Sequence, residues 1–386
     1  MFVRIGNTPR DYAWGSRTAI AELLGTPPSG HPEAELWLGA HAGSPARILD
    51  PAQTGGAADL AAWAETAHLP YLLKVLAAAG PLSLQAHPSS EQARAGFERE
   101  NAAGLAADSP ERNYKDPFHK PELIFALSDP FEALCGFRDP AASRRALDTL
   151  AAVSGDGRIS AFAATLDGDA GAVLRRATEW LLGGDPAVAG LVDAVVSAAR
   201  DADGRDADTV RMLSAAFPGD PGIVLALLLN RATLAPGQVL YLPAGNIHAY
   251  LSGLGIELMA ASDNVLRGGL TPKRIDVPEL VSILDFAPIV ATPLAPEHPA
   301  AGVEVFRPDV PDFALEHIVV GGDVMSAPIE LPGTAIALCT SGAVELTGAQ
   351  GGTLTLQRGE AAVVTADEGD LTATGAGTLF VATPNR

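Results

Sequence analysis

The stretch Gln238–Gly253, QVLYLPAGNIHAYLSG, constrains the chain more than any other. An apolar run meets a Pro-x-Gly turn, and a histidine follows as apolar alternation resumes. With Gly237 included, the spacing is glycine, five residues, Pro243-x-Gly245, two residues, His248. Glycine and proline place a tight turn between two short strands, and the second strand aims its histidine to one side of the sheet. A lone strand histidine is commonly satisfied by a neighbouring carbonyl. The remaining polar residues must decide whether His248 is packing or chemistry.

Composition narrows the classes of function. At 386 residues the chain is about two to three times a typical domain of ~150 residues. A hydrophobic fraction of 47% and a mean hydropathy of +0.18 support sizeable cores, while 40 glycines and 30 prolines imply many turns between short elements. The net charge of −20 repels nucleic acid and anionic membrane surfaces. No apolar run reaches spanning length, and the opening MFVRIGNTPRDYAWGS lacks the charged-then-apolar pattern of a signal peptide, so the expectation is a cytoplasmic protein without nucleic-acid or membrane partners. Cys135 and Cys339 stand far apart in unrelated contexts and build neither a disulfide framework nor a thiolate zinc site. Any metal site has to use histidines, carboxylates or amides.

Along the chain the texture changes three times. Up to about residue 85 it is mixed: AELWLGAHAGSPARIL reads as strands and a turn, and DLAAWAETAHLPYLLKVLAAA as a helix passing into a buried strand. PLSLQAHP alternates and stops at Pro88, and SSEQARAGFERENAAG has the serine start, early carboxylate and glycine stop of a helix. In the proline-broken stretch 113–140, ELIFAL is the clearest strand. From about 139 to 230 the sequence turns to Ala-rich, charge-punctuated helices that read as an insertion. Strands return at 236–260, followed by the loop SDNVLRGGLTPKRID and the short helix DVPELVSILDF. Past a Pro-rich stretch, the tail is a series of short Val, Thr, Leu and Ala strands between glycine turns, the pattern of a sandwich or barrel.

The Gly237-to-His248 spacing resembles the second motif of the cupin barrels, in which the strand after the turn aims its histidine into the barrel. A metal site needs further ligands from an earlier strand pair, and Gln85-x-His87 offers two side chains on one face of a strand. Glutamine is an uncommon ligand, and the plain alternative is a polar strand end. A third group, His119-Lys120-Pro121-Glu122, heads ELIFAL. Residues 119 and 122 have opposite strand parity, so they do not share an ion, and spacing leaves open which of them binds. Glu122 paired with Lys120 would serve equally as structure.

Together QAHP, HKPEL, YLPAGNIHAYLSG and ELMAASDNVLRGGLTPK resemble the type I mannose-6-phosphate isomerases, and NTPRDYAWGS and PEAELWLGAHAGSPA fit the same family in the same order. The helical block and the β tail carry no matching motif. The resemblance implies a zinc-dependent aldose–ketose isomerase that interconverts mannose 6-phosphate and fructose 6-phosphate through an enediolate. It implies one zinc ion held by Gln85, His87, Glu122 and His248. Candidates for the proton-transfer and charge-balancing roles are Arg267, Lys120, Asp263, His119 and Glu257, besides a metal-bound water. Lys273, Ser83 and Lys74 are candidate phosphate contacts, and Tyr250 and Trp14 candidate pocket walls, Tyr250 sharing strand parity with His248. His41, His68, His298 and His317 lie outside every motif and read as structural or exposed, and no metal is expected in the tail.

The implied fold is mainly β with a helical insertion: a cupin (jelly-roll) β-barrel catalytic domain from 1–139 and 228–290, a helical domain over 140–227, and a second cupin-like β domain over 291–386. The expected partner is a small sugar phosphate, and the expected state a monomer. A non-catalytic cupin that binds a sugar phosphate, and an isomerase of another phosphorylated aldose, stand as alternatives.

Overall fold

Alternating apolar residues and glycine or proline turns give the first part of the chain its strands. The computed structural model describes residues 1–66 and 68–385. In chain order the strands are β1 (Phe2–Gly6), β2 (Glu35–Leu38), β3 (Arg47–Ile48), β4 (Tyr71–Ala78), β5 (Leu84–Ala86), β6 (Glu122–Ala126) and β7 (Phe131–Phe137). After the helices come β8 (Leu229–Leu234), β9 (Val239–Leu242), β10 (His248–Ala260) and β11 (Leu266–Gly269). All but β1 and β3 form one sheet organised by β10. The first half of β10 lies between β5 and β7, and its second half between β4 and β6. A register shift between Tyr250 and Ser252, with Gly253 at φ 130°, bends the strand between these halves. A side chain at 253 would stand 2.6 Å from the Phe131 ring, so only glycine fits this corner. The sheet curls into a cupin barrel whose interior is filled by Leu76, Ile124, Phe131, Leu240 and Tyr250.

The two outer faces of the barrel are buried against different partners. Leu84, Ala86, Ile247, Ala249 and Leu251 face the helical block, and Leu73, Val75, Leu123, Phe125, Ile256 and Leu258 face a second sheet. Strands that are covered outside and filled inside read as near-continuous apolar runs, which is why YLLKVLAA and ELIFA show little alternation.

Helices Pro140–Ser154, Gly157–Ala164, Ala170–Leu182 and Pro186–Asp201 each start at an aspartate, residues 139, 156, 169 and 185, whose carboxylate accepts a backbone N–H of the first turn. Gly157–Ala164, a short helix between Gly155 and the loop at Asp167, is an element the sequence reading lacked. The helix expected at the start of DLAAWAETAHLPYLL is absent from the described residues. Turns stand there instead, because Asp59 Oδ1 takes the Ala62 N–H and Thr66 Oγ1 donates to the Leu60 and Trp63 carbonyls, competing with a helical ladder. Among the described residues no single helix is long and apolar enough to cross a membrane.

The tail adds β12 (Glu297–Ala300), β13 (Val303–Phe306), β14 (Ala314–Val320), β15 (Ser326–Ile329), β16 (Ala335–Gly348), β17 (Thr353–Gln357), β18 (Ala361–Val364) and β19 (Leu371–Thr383). They form the second sheet, in the order β12-β13-β14-β19-β16-β18-β1-β3 with β15 on β19 and β17 on β16. Its last two members come from the opposite end of the chain: Phe2–Ile5 pair antiparallel with Ala361–Val364. One face of this sheet encloses Val305, Ile318, Ala337, Leu346 and Val381, and the other sets Phe306, Leu315, Leu338 and Phe380 against the first barrel.

Candidate metal centre and active site

Directly paired residues on neighbouring strands point the same way, so strand register lays out the barrel interior in rows. One row runs Arg267 on β11, Gln85 on β5, His248 on β10 and Cys135 on β7. A second runs Trp37 on β2, Lys74 on β4, Glu257 on β10 and Ile124 on β6. His87 stands two residues beyond Gln85, and Glu122 two before Ile124, so both turn to the same interior.

There His87, Glu122 and His248 converge, with ligand atoms all within 4.8 Å of one another and the three side chains fully buried. His87 Nε2 is 3.3 Å from Glu122 Oε1, and His248 Nε2 is 3.3 Å from Glu122 Oε2. Gln85 brings its side-chain amide 3.3 Å from His248 Nε2, from where it can present its oxygen to the same point. The far side of each ring is already committed: His87 Nδ1 to the Asn264 carbonyl at 2.7 Å and His248 Nδ1 to the Asn246 carbonyl at 3.0 Å. A carbonyl accepts only from N–H, so both rings carry their proton on Nδ1 and turn an Nε2 lone pair inward.

Burial, only partly offset by Glu122, pushes His87 down to about 4, so the ring is neutral at neutral pH. Burial also opposes ionisation of Glu122, but the charged groups around it, Lys120 foremost, outweigh it and hold the carboxyl well below its usual range. His87 Nε2 and Glu122 Oε2 are buried without hydrogen-bond partners. Two imidazoles with Nε2 turned inward, one carboxylate and an amide oxygen, with orphaned donor atoms facing one point, fit a divalent cation of the zinc type.

The other sequence candidates fall into four places. Lys120 Nζ lies 3.2 Å from Glu122 Oε1, inside the cluster. Lys74 and Glu257 pair at 2.9 Å in the second interior row, with Glu35 at 3.6 Å from the same ammonium. Burial works against the Lys74 charge, yet Glu257, Glu35 and Glu122 outweigh it and raise its pKa. Burial raises Glu257 despite Lys74. Tyr250 is buried with its hydroxyl unpartnered and is pushed up by burial and then by the Glu257 and Glu122 carboxylates, so it borders both rows. Arg267 donates to Ser83 Oγ at 2.7 Å, and its charge lowers Lys273, so these three form a cationic group at the end of the first row. Among the described residues neither Arg267 nor Lys273 has an ion-pair partner.

Two candidates point elsewhere. His119 bonds Asp312 of the tail at 2.7 Å and is not part of the ligand cluster, as its opposite parity to Glu122 requires. Asp263 is held by His41 at 2.9 Å, which lowers its pKa. Trp14 stacks on Tyr12 at 5.8 Å and leans against the barrel interior. Of the histidines outside the motifs, His68 and His298 are exposed, and His317 pairs with Glu304 while stacking on Phe380. Sequence reasoning missed Glu35, Asn246 and Asn264. Glu35 had a signal, a carboxylate opening the apolar strand ELWL, but a backbone carbonyl that orients a ring leaves no mark on residue type.

A cupin barrel that holds nitrogen and oxygen donors around one point in its interior, backed by a second large sheet, defines a metal-dependent enzyme of the cupin superfamily. Residues 2–140 match the family model of the catalytic domain of type I phosphomannose isomerase. The mannose-6-phosphate isomerases of Salmonella typhimurium and Escherichia coli are 40% and 39% identical to this chain, with 97% of each chain covered. A zinc-bound mannose 6-phosphate isomerase structure aligns over 100% of both chains with a TM-score of 0.86 and 37% identity. The chain belongs to the type I phosphomannose isomerase family.

Proposed function

We propose that this protein interconverts mannose 6-phosphate and fructose 6-phosphate with one zinc ion held by Gln85, His87, Glu122 and His248. The observation that carries the reading is the first interior row, where unpaired Arg267 stands directly beside the ligand strand and Lys273 and Ser83 stand next to it. An anionic sugar is drawn to those cations, its phosphate toward Lys273 and Ser83 and its reacting end toward Arg267 and the metal site. Zinc, when bound, supplies Lewis-acid polarisation of the sugar carbonyl and stabilises negative charge on the adjacent oxygens.

The chain's own groups supply the rest. Lys273 and Ser83 take the phosphate. Arg267 balances the charge of the enediolate, and Lys120 holds the Glu122 carboxylate in place. Glu257 is the favoured base among the candidates: burial raises its pKa, and one carboxylate can take the proton from one sugar carbon and deliver it to the next while the Lys74 ammonium stays charged beside it. His119 turns its Nε2–H to the Asp312 carboxylate and Asp263 Oδ1 is taken by His41, which draws both away from the ligand cluster and argues against that role. Tyr250 and Trp14 line the sugar pocket. On the same reading, 1–139 with 228–290 carries the chemistry, 140–227 and 291–386 cover its two outer faces, and the protein works as a cytoplasmic monomer.

The test is a coupled assay for fructose 6-phosphate, run beside elemental analysis of the same preparations. Chelated protein is expected to be inactive and to recover with zinc. Full turnover in protein shown to be metal-free would overturn the reading. Zinc binding without turnover supports a silent sugar-phosphate binder, and turnover of a different phosphorylated aldose alone supports the related isomerase.

A further inference from the structure

The helical block carries no motif, yet one residue at its end reaches the substrate loop. Asp220 stands in the turn between helices Arg205–Ala216 and Gly222–Leu225. Its carboxylate accepts three backbone N–H groups: Oδ1 from Gly222 at 2.7 Å and Leu270 at 2.9 Å, and Oδ2 from Thr271 at 3.1 Å. Leu270 and Thr271 lie in the segment that joins Arg267 to Lys273. That segment has an unusual shape. Gly269 is at φ 124°, and Leu270, at φ 54°, is the one non-glycine residue with positive φ among the described residues. A bulky L-residue rarely adopts this conformation unless its surroundings impose it.

The surroundings come from the helical block. A Cβ on Gly269 would lie 2.9 Å from Gly222 Cα, and one on Gly222 would lie 2.8 Å from the Leu270 nitrogen, so the two backbones touch. The Leu270 side chain is fully buried in the same core as Ile223 and Leu213. Asp220 could have neutralised a nearby cation, but its lone pairs are spent on amides, and it forms no ion pair with Arg267 or Lys273 among the described residues. Arg267 and Lys273 repel each other, and a loose turn would let them separate.

We propose that Asp220 is a positioning residue for substrate binding: by pinning the Gly269–Thr271 turn in its left-handed shape, it holds Lys273 at the phosphate of the sugar phosphate, while strand register keeps Arg267 beside Gln85. The helical block thereby takes part in recognition as well as covering the barrel. This inference rests on the reading of Lys273 as a phosphate contact.

The test uses the full-length, zinc-loaded protein and three variants. Asp220→Asn keeps the Oδ1 acceptor but cannot accept from Thr271, and Asp220→Ala loses all three bonds. Lys273→Ala is the reference. Expected for Asp220→Ala is a KM for mannose 6-phosphate raised about tenfold, since hydrogen bonds to a charged acceptor carry at least that factor, with kcat and zinc content unchanged. Asp220→Asn should show a smaller rise in the same direction, and amide exchange across residues 268–273 should quicken in both. An unchanged KM with only a lower melting temperature would reduce Asp220 to a structural role and overturn the proposal. A lower KM would overturn it too, because removing a negative charge near the phosphate is the only effect left. If Lys273→Ala leaves KM unchanged, the phosphate reading itself fails; if it raises KM while both Asp220 variants do not, only the present inference fails. Should Asp220→Ala not fold, the isosteric Asp220→Asn decides the matter.

Discussion

His87 and His248 are each fixed at one edge of the ring by a backbone carbonyl, which aims Nε2 at the point the Glu122 carboxylate also faces, so neither can swing away without leaving a buried Nδ1–H unpaired. Truncating a ligand should therefore empty the site. His248→Ala and Glu122→Ala are expected to lose most of their zinc and activity, while His119→Ala, whose ring faces Asp312, keeps its zinc. Metal analysis of the purified variants checks this, and full zinc occupancy in His248→Ala would show that the donor set is wrong. Arg267 and Lys273 share a neighbourhood but not a role. A charge-assisted bond to phosphate is felt in ground state and transition state alike, so Lys273→Ala should raise KM by about 10- to 150-fold, the equivalent of roughly 1.5–3 kcal/mol. Arg267 meets charge that grows only as the enediolate forms, so Arg267→Ala should lower kcat by ~10² or more with zinc unchanged. Steady-state kinetics separates the two, and a pure KM effect in Arg267→Ala would pass the catalytic role to Lys120.

At the scale of elements, the helical block is tied to the barrel through Glu132 on β7. Its carboxylate takes Arg231 Nε at 2.7 Å and the Thr233 hydroxyl at 2.8 Å, with Arg205 of helix Arg205–Ala216 at 3.4 Å. Burial works against this carboxylate, but Arg231, Thr233 and Arg205 outweigh it and lower its pKa from 4.5. A depressed folded-state pKa contributes stability that is present above the ordinary value and lost as pH falls through the folded one. Glu132→Gln should therefore lower the unfolding free energy by about 1.5–3 kcal/mol at neutral pH, and the gap from the parent protein should close as pH drops below 4.5. Denaturant midpoints across that range measure it, and a gap independent of pH would mean the charge is not what matters. Elements were legible where caps and turns are local chemistry. Ser89 and Gln92 form a reciprocal capping box at the helix Ser90–Ala102, and Gly237 and Gly245 take positive φ at the turn before His248. Residues 59–66 were misread because Asp59 and Thr66 bond their own backbone in a stretch too short for periodicity to prevail.

For the molecule as a whole, β1 is the decisive strand. Val3 and Ile5 are buried between the two sheets, and β1 separates β18 from β3. A fragment of residues 291–386 alone should fail to show a cooperative unfolding transition by circular dichroism and should gain one when residues 1–50 are supplied in trans. Cooperative melting of the isolated fragment would show the second sheet to be self-sufficient. The sequence by itself determined what acts over a few residues: Gln85 and His87 share a face because strands repeat every two residues, and His119 and Glu122 do not for the same reason. The motifs were enough to mark the family and its ligand types. Tertiary structure alone decided that His87 just past β5, Glu122 on β6 and His248 on β10 meet within 4.8 Å, that Arg267 stands in register beside Gln85, that Phe2–Ile5 close the far sheet, and that Asp220 reaches the substrate loop. These are pairings across tens to hundreds of residues, set by strand register and by which buried faces fit together, and no local pattern of residue types encodes them.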